Sequence, residues 1–458
     1  MAYILFLMAN AALFLRPAEL IPALGDVPLY LYLITATVLC SVKPIHNQLR
    51  LATLVQQPIN LCVVLVTLAV GLSHLSLGNI GFALKSWNAM VKTMLYFMAL
   101  VAVVNTPKKL RGFLMTTAIA ASVMIGISIM DFNAFVEEWS GRADLWEVRE
   151  LEKDLPEETP GRQLRHVVDW GDVSADGEQQ WIFRITGLGV FRDPNDLALV
   201  LTLTTVISFY FLTDKSKAGV RYLWAIPIFL AGWALILTHS RGGLLGMGVA
   251  FTAWLATRYG GKVALGLAVL GAMAVPVALG RQGNIEISGG TGQQRIQLWA
   301  DGLNQMKTSK ALFGIGEGMY ADIAGLVAHN SFIHAYVELG FFGGTFFFGC
   351  FFLPAWAFFL MKRHGMRIED PELARLFPFI AAIVAGWSMG ICSLSRCYAP
   401  PTYMIIGTAA AYLNLVGYYR HRPVPVLVFN HGLARHLAVC SFGFLMCCFV
   451  FVRLFVRY

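Results

Sequence analysis

The sequence predicts an all-α polytopic integral membrane protein, from its composition and from the length of its apolar segments. Of the 458 residues, 57% are hydrophobic and only 14% are charged, and the mean hydropathy is +0.63. Soluble domains carry about 25% charged residues, so an ordinary soluble protein is excluded. Many apolar segments approach the length of about 20 residues that a helix needs to cross about 30 Å of hydrocarbon.

Apolar runs separated by polar breaks predict about 12 transmembrane helices, and a short run at 437–452 is a candidate for a thirteenth. The first run follows Met1 without a basic region or a small-residue cleavage site, so we expect it to be retained as a span. No internal repeat divides the sequence, which favours one membrane domain over residues 1–458. The 12 runs lie near 2–15, 28–42, 59–77, 88–104, 112–131, 195–212, 222–238, 244–257, 262–279, 335–361, 376–395 and 400–418.

The net charge of +8 indicates orientation in the membrane rather than nucleic-acid binding. With a cytoplasmic N-terminus, basic clusters such as 108–111 and 362–375 fall in inner loops, and the short outer loops hold few basic residues. This distribution follows the positive-inside rule. We therefore expect a multi-pass protein in contact with membrane lipids and with no nucleic-acid partner.

Two of the predicted outer loops are long. The loop at 132–194 holds 14 acidic and 7 basic residues, which predicts a small folded or helical acidic cap. The loop at 280–334 is rich in glycine, which permits tight and irregular backbone. We expect this second loop to contain an interfacial helix and a candidate catalytic segment.

The sequence offers no motif for a metal or a cofactor. It has no HExxH, paired CxxC, DxD or Walker motif, so neither metal-assisted hydrolysis nor ATP-driven transport is indicated. The eight cysteines lie mostly in apolar runs and none lies in the two long loops, so we expect neither disulfides nor a zinc site. Candidate chemistry is left to cations and imidazoles on the outer side.

The first candidate is Arg241, in the short turn His-Ser-Arg-Gly-Gly between two predicted spans. A guanidinium is permanently charged and matches phosphate oxygens in a bidentate manner. The alternative is an interfacial arginine that reaches the lipid headgroups.

The second candidate is Arg295, near the start of a predicted amphipathic helix on the outer surface. It can direct a second guanidinium into the same outer-side pocket as Arg241. The alternative is an interfacial helix in which Trp299 anchors to headgroups.

The third candidate is His329, which precedes Asn330 and Ser331, either of which can cap the next helix. Neutral imidazole suits proton abstraction from a hydroxyl, and a helix N-terminus attracts anions. His334 and Glu338 are four residues apart on one face of that helix, about 140° from His329, and are secondary candidates. The alternative role for His329 is capping or packing.

A fourth cluster, at 191–196, contains Arg192 before Asp193 and Pro194. Asp193 or Asn195 followed by helix-forming residues is typical of a helix start, and this explains most of the cluster. Arg192 remains a secondary candidate for substrate contact.

The order and spacing of these motifs resemble the O-antigen ligase/polymerase (Wzy-type) family of membrane glycosyltransferases. The resemblance rests on the His-Ser-Arg-Gly-Gly turn at 239–243, the Arg-xxx-Trp element at 295–299 and the Ala-His-Asn-Ser-Phe stretch from Ala328. It covers about 190–350 together with the pattern of spans, and the segment at 191–196 also looks like one seen in these proteins.

The resemblance implies transfer of a glycan from an undecaprenyl-diphosphate donor to an acceptor hydroxyl, at the periplasmic face of the bacterial inner membrane and without metal or other cofactor. Arg241 and Arg295 would hold the diphosphate, and His329 would be the general base. Arg281 and Gly292 fit an Arg-to-Gly spacing described for some polymerases, whereas the first long loop lacks it. The acceptor would be lipid A-core, a protein or a growing glycan, so ligase and polymerase both stay open.

Two other classes of function compete with this one. A transporter or flippase of the same lipid-linked oligosaccharide would place charges and broken helices near the membrane midplane, between repeats. A noncatalytic scaffold would use the acidic loop as its partner surface.

Overall fold

A computed structural model describes residues 1–25, 27–140, 166–173, 179–267, 290–420 and 424–457. The chain divides into two compact units. The first contains Met1–Phe6, Tyr32–Phe113 and Leu245–Tyr458, and the second contains Leu7–Leu31 and Leu114–Leu244. The single membrane domain over 1–458 stays a prediction.

Helices account for most elements of the described chain. Residues 261–267 are also helical, up to the end of that described range. The helices are α1 (Ala2–Leu15), α2 (Pro17–Leu20), α3 (Leu29–Cys40), α4 (Val42–Leu49), α5 (Leu51–Gln56), α6 (Pro58–Leu75), α7 (Ile80–Val103), α8 (Pro107–Trp139), α9 (Pro194–Leu212), α10 (Ala225–Leu237), α11 (Arg241–Tyr259), α12 (Gly290–Gln305), α13 (Tyr320–Ala324), α14 (Ser331–Arg363), α15 (Pro371–Gly390), α16 (Pro400–Leu415) and α17 (His431–Phe455).

Eight helical stretches within the described ranges are long and apolar enough to cross a membrane, which confirms the polytopic helical class. A ninth candidate is the pair α3 and α4, bent by 76°. The number of about 12 spans and the loop topology stay predictions, and most of the predicted span at 262–279 lies outside the described residues. The eight stretches are Pro58–Leu75, Ile80–Val103, Pro107–Glu138, Pro194–Leu212, Gly219–Leu237, Ser331–Arg363, Pro371–Ser393 and His431–Phe455.

Three predicted spans differ in detail from the helices observed. The run at 437–452 is part of α17, which has 25 residues and is one of the eight stretches. α16 has only 16 residues, because it begins at Pro400 and ends before Gly417, whose φ is +69°. α11 has 19 residues, but two arginines and four glycines make it less apolar than a typical span.

A strand pair departs from the all-α prediction. β1 (Val167–Val173) and β2 (Gln179–Arg184) are antiparallel, with Val167 opposite Arg184. They lie within the acidic segment at 132–194, for which the sequence predicted a folded or helical cap, and α8 extends into the same segment as far as Trp139. Valine, tryptophan, isoleucine and phenylalanine favour strands, which explains why this stretch is not helical.

The second unit contains the α9–α10 pair and the strand pair. The backbone N–H of Ile185, just after β2, donates to the carbonyl of Leu237 at the end of α10, at 3.2 Å. Asn10 Nδ2 of α1 donates to Thr117 Oγ1 of α8 at 2.8 Å, and both side chains are buried. A buried amide and hydroxyl that bond each other avoid the desolvation penalty of unpaired polar groups.

In the first unit, α6 packs against both α7 and α14, and α16 packs on α7. Small residues allow these helices to approach closely. A Cβ on Gly343 of α14 would lie 2.8 Å from the Cβ of Ala69 of α6. Close packing at glycine and alanine is the usual way in which helices associate inside a membrane.

The long helix α14 is broken at Gly340, whose φ of +68° and ψ of −172° are not helical. The break frees carbonyls that a preceding loop then uses. Ile315 N–H donates to Val337 and Gly316 N–H donates to Glu338, both at 3.1 Å, and Phe342 N–H donates to Leu312 at 3.1 Å. We name this contact between residues 312–316 and 337–342 the backbone seam.

Candidate functional site

The turn between α10 and α11 presents Arg241 as the first residue of α11, with an exposed side chain. Only residues 238–240 separate the two helices, which confirms the short turn. Ser240 Oγ accepts the N–H of Gly243 at 3.0 Å and donates to Asn195 Oδ1 of α9 at 2.7 Å. A Cβ on Gly243 would collide with Ala198 of α9, so α9 and α11 meet closely at this position.

Two residues from outside the turn motif hold this turn in place. Arg184, at the end of β2, donates from Nε to the carbonyl of Thr238 at 2.9 Å, and Asn195 bonds Ser240. His239 lies between Thr238 and Ser240, the two turn residues that these bonds hold. Its φ is +48°, a left-handed backbone conformation that residues other than glycine rarely adopt. Burial, followed by the charge of Arg184, lowers the pKa of His239, which favours the neutral imidazole.

Arg192 lies beside an acidic side chain of the same unit. Its Nη2 is 3.4 Å from Oε1 of Glu19, and the other oxygen of Glu19 accepts the N–H of Gly189 at 3.1 Å. Asp193 caps α9 by accepting the N–H of Asn195 at 2.7 Å, and Pro194 is the first helical residue. The helix-start interpretation of the 191–196 cluster is therefore correct, and substrate contact by Arg192 stays a hypothesis.

In the first unit, Arg295 lies on α12, which forms where the sequence predicted a helix. Its side chain is partly buried. Gln293 and Gln297 of α12 both donate to the carbonyl of Arg457 near the chain end, and Leu298 accepts the hydroxyl of Tyr320 at 2.9 Å. These contacts fix α12 against α13 and the end of α17.

Trp299 connects α12 to the histidine segment. Its indole Nε1–H donates to the carbonyl of Ala328 at 2.6 Å. Ala328 is fully buried and directly precedes His329. The sequence suggested headgroup contact for Trp299 and gave no sign of its hydrogen bond to Ala328, because no local pattern links residues 29 positions apart.

His329 is partly buried and has a φ of +48°, the same left-handed value as His239. Asn330 follows as the cap of α14, where its Oδ1 accepts the N–H groups of Phe332 at 3.0 Å and Ile333 at 3.2 Å. The prediction that Asn330 or Ser331 caps this helix is correct for Asn330. His329 thus directly precedes the positive end of the α14 dipole.

Ser331 ties the start of α14 to the loop between α15 and α16. Its hydroxyl donates to the carbonyl of Leu394 at 2.6 Å and accepts the N–H of Arg396 at 2.8 Å. Arg396 lies in the loop that precedes α16. The structure brings its backbone into contact with the helix start that follows His329.

Glu338 is the centre of a buried polar cluster about two helical turns after that start. It is 0% exposed, and its carboxylate accepts the Tyr320 N–H at 3.1 Å and the Tyr398 hydroxyl at 2.9 Å. His334 Nε2 is 3.0 Å from Oε2 of Glu338, as the four-residue spacing predicted, and its Nδ1 is 3.1 Å from Ser395 Oγ. The Tyr320 N–H and the Tyr398 hydroxyl, with the imidazole of His334 beside them, compensate the removal of this carboxylate from water.

Aromatic rings enclose this cluster. The ring of Tyr320 stacks on His334 with centroids 5.1 Å apart and an interplanar angle of 14°. Burial and then the charge of Glu338 raise the pKa of Tyr398 well above its usual range, so its hydroxyl stays a donor. Tyr320 and Tyr398 had no signal in the sequence, because each reaches Glu338 from a separate segment. Tyr320 is the first residue of α13, and Tyr398 lies in the loop before α16.

The candidate cations and base are distributed over both units. Arg241 belongs to the second unit, whereas Arg295 and His329 belong to the first. The convergence of these three side chains in one cavity stays a prediction. Arg281 lies outside the described residues.

Comparison with known proteins supports the family resemblance. Residues 226–348 match the protein family described as O-antigen ligase. The matched segment begins in α10 and ends in α14, so it includes Arg241, Arg295 and His329. No curated protein matches the chain.

Proposed function

We propose that this protein is a membrane glycosyltransferase that moves a glycan from an undecaprenyl-diphosphate donor to an acceptor hydroxyl at the periplasmic face of the bacterial inner membrane. The observation that carries the proposal is the position of His329 within the O-antigen ligase match. It has left-handed backbone at the N-terminal end of α14, directly beside the Asn330 cap. Strained backbone persists where surrounding structure enforces it, and such residues cluster at active sites.

The proposed reaction assigns His329 as general base. The acceptor oxygen attacks the anomeric carbon of the donor glycan, and its proton passes to an imidazole nitrogen of His329. The new carbon–oxygen bond forms as the bond to the diphosphate breaks, and that electron pair leaves with undecaprenyl diphosphate. Attack opposite the leaving group inverts the anomeric centre.

Arg241 and Arg295 are assigned to the leaving diphosphate. Each guanidinium can donate to two phosphate oxygens and stabilise the charge that develops as the bond breaks. Arg241 is the first residue of α11 and Arg295 lies in the second turn of α12, so each is near a helix N-terminus. Helix N-termini favour anions, which adds to the attraction.

The donor, acceptor and cofactor assignments rest on the family resemblance and on residue chemistry. Arginines and an imidazole provide charge stabilisation and a base, so the proposed reaction uses no metal or other cofactor. The acceptor is lipid A-core for a ligase, a glycan for a polymerase, or a protein. A cytoplasmic N-terminus with a periplasmic site follows from the distribution of basic residues.

A transporter of the same lipid-linked oligosaccharide is the competing proposal, and the broken helix α14 is the feature that favours it. Transporters use unwound backbone to bind substrates or ions. Here, however, the carbonyls of Val337 and Glu338 near the break accept hydrogen bonds from Ile315 and Gly316. The protein's own loop occupies the groups that a transported substrate would need.

The decisive experiment replaces His329 with Asn in a deletion strain complemented with the full chain. Asn tolerates left-handed backbone but cannot serve as the base, so insertion is preserved and surface glycan is lost. The matched control is His364→Asn, an exposed histidine at the opposite end of α14. Full surface glycan in the His329→Asn strain, at wild-type membrane levels, rules out the proposed base.

The accumulated intermediate distinguishes the remaining classes. A missing transferase leaves the lipid-linked glycan accessible to a membrane-impermeant lectin on spheroplasts, whereas a missing flippase leaves it inaccessible. Long lipid-linked polymer with bare core indicates a ligase, and a single repeat unit on the core indicates a polymerase.

A further inference from the structure

A polar cavity of about 370 Å³ lies in the first unit, far from the Glu338 cluster. It is formed by α4, the junction before α6, the end of α7 and the residues that follow α16. The Glu338 cluster lies at the opposite ends of these helices. Tyr398, which bonds Glu338, precedes α16, and His74 near the end of α6 is 3.0 Å from the carbonyl of Glu317, next to Gly316, whose N–H donates to the Glu338 carbonyl. Because α6 alone has 18 residues, the two places are about 27 Å apart along the helix axis.

Side-chain carboxamides dominate the polar lining of this cavity. A carboxamide both donates and accepts hydrogen bonds, as a hydroxyl does, so a group of them suits a ligand with several hydroxyls. No aspartate or glutamate is among the lining residues. The six carboxamides are Asn47, Gln48, Gln56, Gln57, Asn105 and Asn414.

The hydrogen bonds within the cavity wall engage the side-chain oxygens of Gln48 and Gln57 and leave their side-chain NH2 groups as donors. Buried Asn60 donates from Nδ2 to Gln48 Oε1 at 3.1 Å and to Gln57 Oε1 at 2.8 Å, and Asn414 donates to the same oxygen of Gln57 at 3.2 Å. Within the described part of the chain, the Nε2 groups of Gln48 and Gln57 make no hydrogen bond. The wall therefore presents preformed donors to a ligand.

Two cations adjoin the cavity. Arg420 is exposed and lines it, and the ammonium of Lys109 is 2.8 Å from Oδ1 of the lining residue Asn105. With two positive groups and no acidic lining residue, the local field favours an anion. Apolar Val101, Val104 and Leu415 complete the wall, as expected for a site at the end of membrane-spanning helices.

We propose that this cavity binds the headgroup of an anionic glycerophospholipid that carries free hydroxyls, with its phosphate at Arg420 and Lys109 and its hydroxyls among the carboxamides. The occupant is a membrane lipid because the cavity lies where α6 begins and where α7 and α16 end, at the level expected for lipid headgroups. The site is independent of the proposed glycosyl transfer.

Native mass spectrometry of the purified full-length chain tests this proposal with three probe lipids. Phosphatidylglycerol has both the phosphate and the hydroxyls, phosphatidic acid has only the phosphate, and phosphatidylethanolamine carries an ammonium. We expect phosphatidylglycerol to be retained at least about fivefold more than either of the others, because several hydrogen bonds to the headgroup add to the charge. Equal retention of the three lipids overturns the proposal.

Two variants locate the binding. Arg420→Gln and the double variant Asn47→Ala/Gln56→Ala remove a cation and two exposed carboxamides, and both should abolish the preference. Arg435→Gln is the matched control, since Arg435 is exposed near the start of α17 and does not line the cavity. The assignment is contradicted if the control loses the preference for phosphatidylglycerol equally, or if both variants retain that preference. Binding of soluble glycerol phosphate with no lipid preference also overturns it.

Discussion

Tyr398 donates its hydroxyl to Oε2 of Glu338 at 2.9 Å, although 60 residues separate them. The same oxygen lies 3.0 Å from His334 Nε2, and the other oxygen accepts the N–H of Tyr320. One buried carboxylate thereby joins α14, the first residue of α13 and the loop before α16. The segment that follows His329 is held in place by this junction.

Replacing Tyr398 with Phe should destabilise the protein by about 1–2 kcal/mol at pH 8, because Glu338 loses a donor while remaining buried. Thermal unfolding in detergent measures the effect. Tyr32→Phe, an exposed tyrosine of α3, is the control and should leave the transition unchanged. An unchanged transition for Tyr398→Phe would show that this hydrogen bond contributes nothing.

The same variant should also change how the unfolding free energy depends on pH in the alkaline range. In the unfolded chain the phenol ionises near pH 10, whereas burial and Glu338 hold the pKa of Tyr398 higher in the fold. The folded state therefore binds more protons, and stability falls as the pH rises above about 10. Tyr398→Phe lacks this contribution, so the stability difference from the wild type should narrow between pH 8 and pH 11. A constant difference contradicts the prediction.

Replacing Gly340 with Ala should prevent formation of the backbone seam. Its dihedral angles are nearly exclusive to glycine, and an added Cβ would collide with the backbone of Leu312 and Phe313. We expect a loss of at least about 3 kcal/mol or failure to accumulate in the membrane. Gly443→Ala on α17 is the control, since a Cβ there meets no atom within 4 Å and the change should stay within about 1 kcal/mol.

His239→Asn should flatten the loss of stability on acidification. Burial and Arg184 lower the pKa of folded His239, while the unfolded residue ionises near pH 6.5. Below about pH 6.5 the unfolded state therefore binds more protons, and the wild type loses stability as the pH falls toward the folded pKa. Asn keeps the left-handed backbone without titrating. Between pH 7.5 and pH 5, the unfolding free energy of the wild type should fall more steeply than that of His239→Asn. Equal slopes for the two proteins contradict the lowered pKa of His239.

Trp299→Phe should slow glycan transfer while leaving the fold intact. The change removes the hydrogen bond from the indole to Ala328 and releases the residue before His329. We expect a decrease in kcat of about three- to tenfold, equivalent to about 1 kcal/mol, with little change in donor KM. Trp233→Phe, exposed on α10, is the control. Unchanged kcat would exclude a positioning role for Trp299.

Arg241→Lys should reduce transfer by at least about tenfold, because an ammonium keeps the charge but loses the bidentate geometry for phosphate. Arg241→Ala should be more severe. Arg258→Lys is a matched control at the other end of α11, where the guanidinium lies over the ring of Trp254. Wild-type transfer by Arg241→Ala, measured as surface glycan at equal membrane levels, removes Arg241 from the mechanism.

Local periodicity predicted the features of the site that depend on neighbours in sequence. Asn330 caps α14 because a cap requires only a carboxamide before a helical run. His334 meets Glu338 because residues four apart share a helix face. The apolar runs predicted the membrane class for the same reason, since span length depends on composition alone.

Contacts between distant segments were not predictable from one sequence. The bonds of Arg184 to Thr238 and of Trp299 to Ala328 depend on tertiary packing that brings separate elements together. The strand pair at 167–184 was missed because its apolar residues are interrupted by acids that indicated a loop. The hydrogen bond from the backbone N–H of Arg396 to Ser331 likewise depends on packing between separate elements.

The backbone seam closes a short loop, between residues 316 and 337, around the segment that contains His329. Its hydrogen bonds join Gly316 to Glu338 and Ile315 to Val337, and everything between them, including His329 and Asn330, lies within one closed loop. The entropy lost on closing a loop rises with its length, and contacts between nearby residues form fastest. We therefore expect this closure to be an early event in folding, with His329 enclosed before the C-terminal helices have packed.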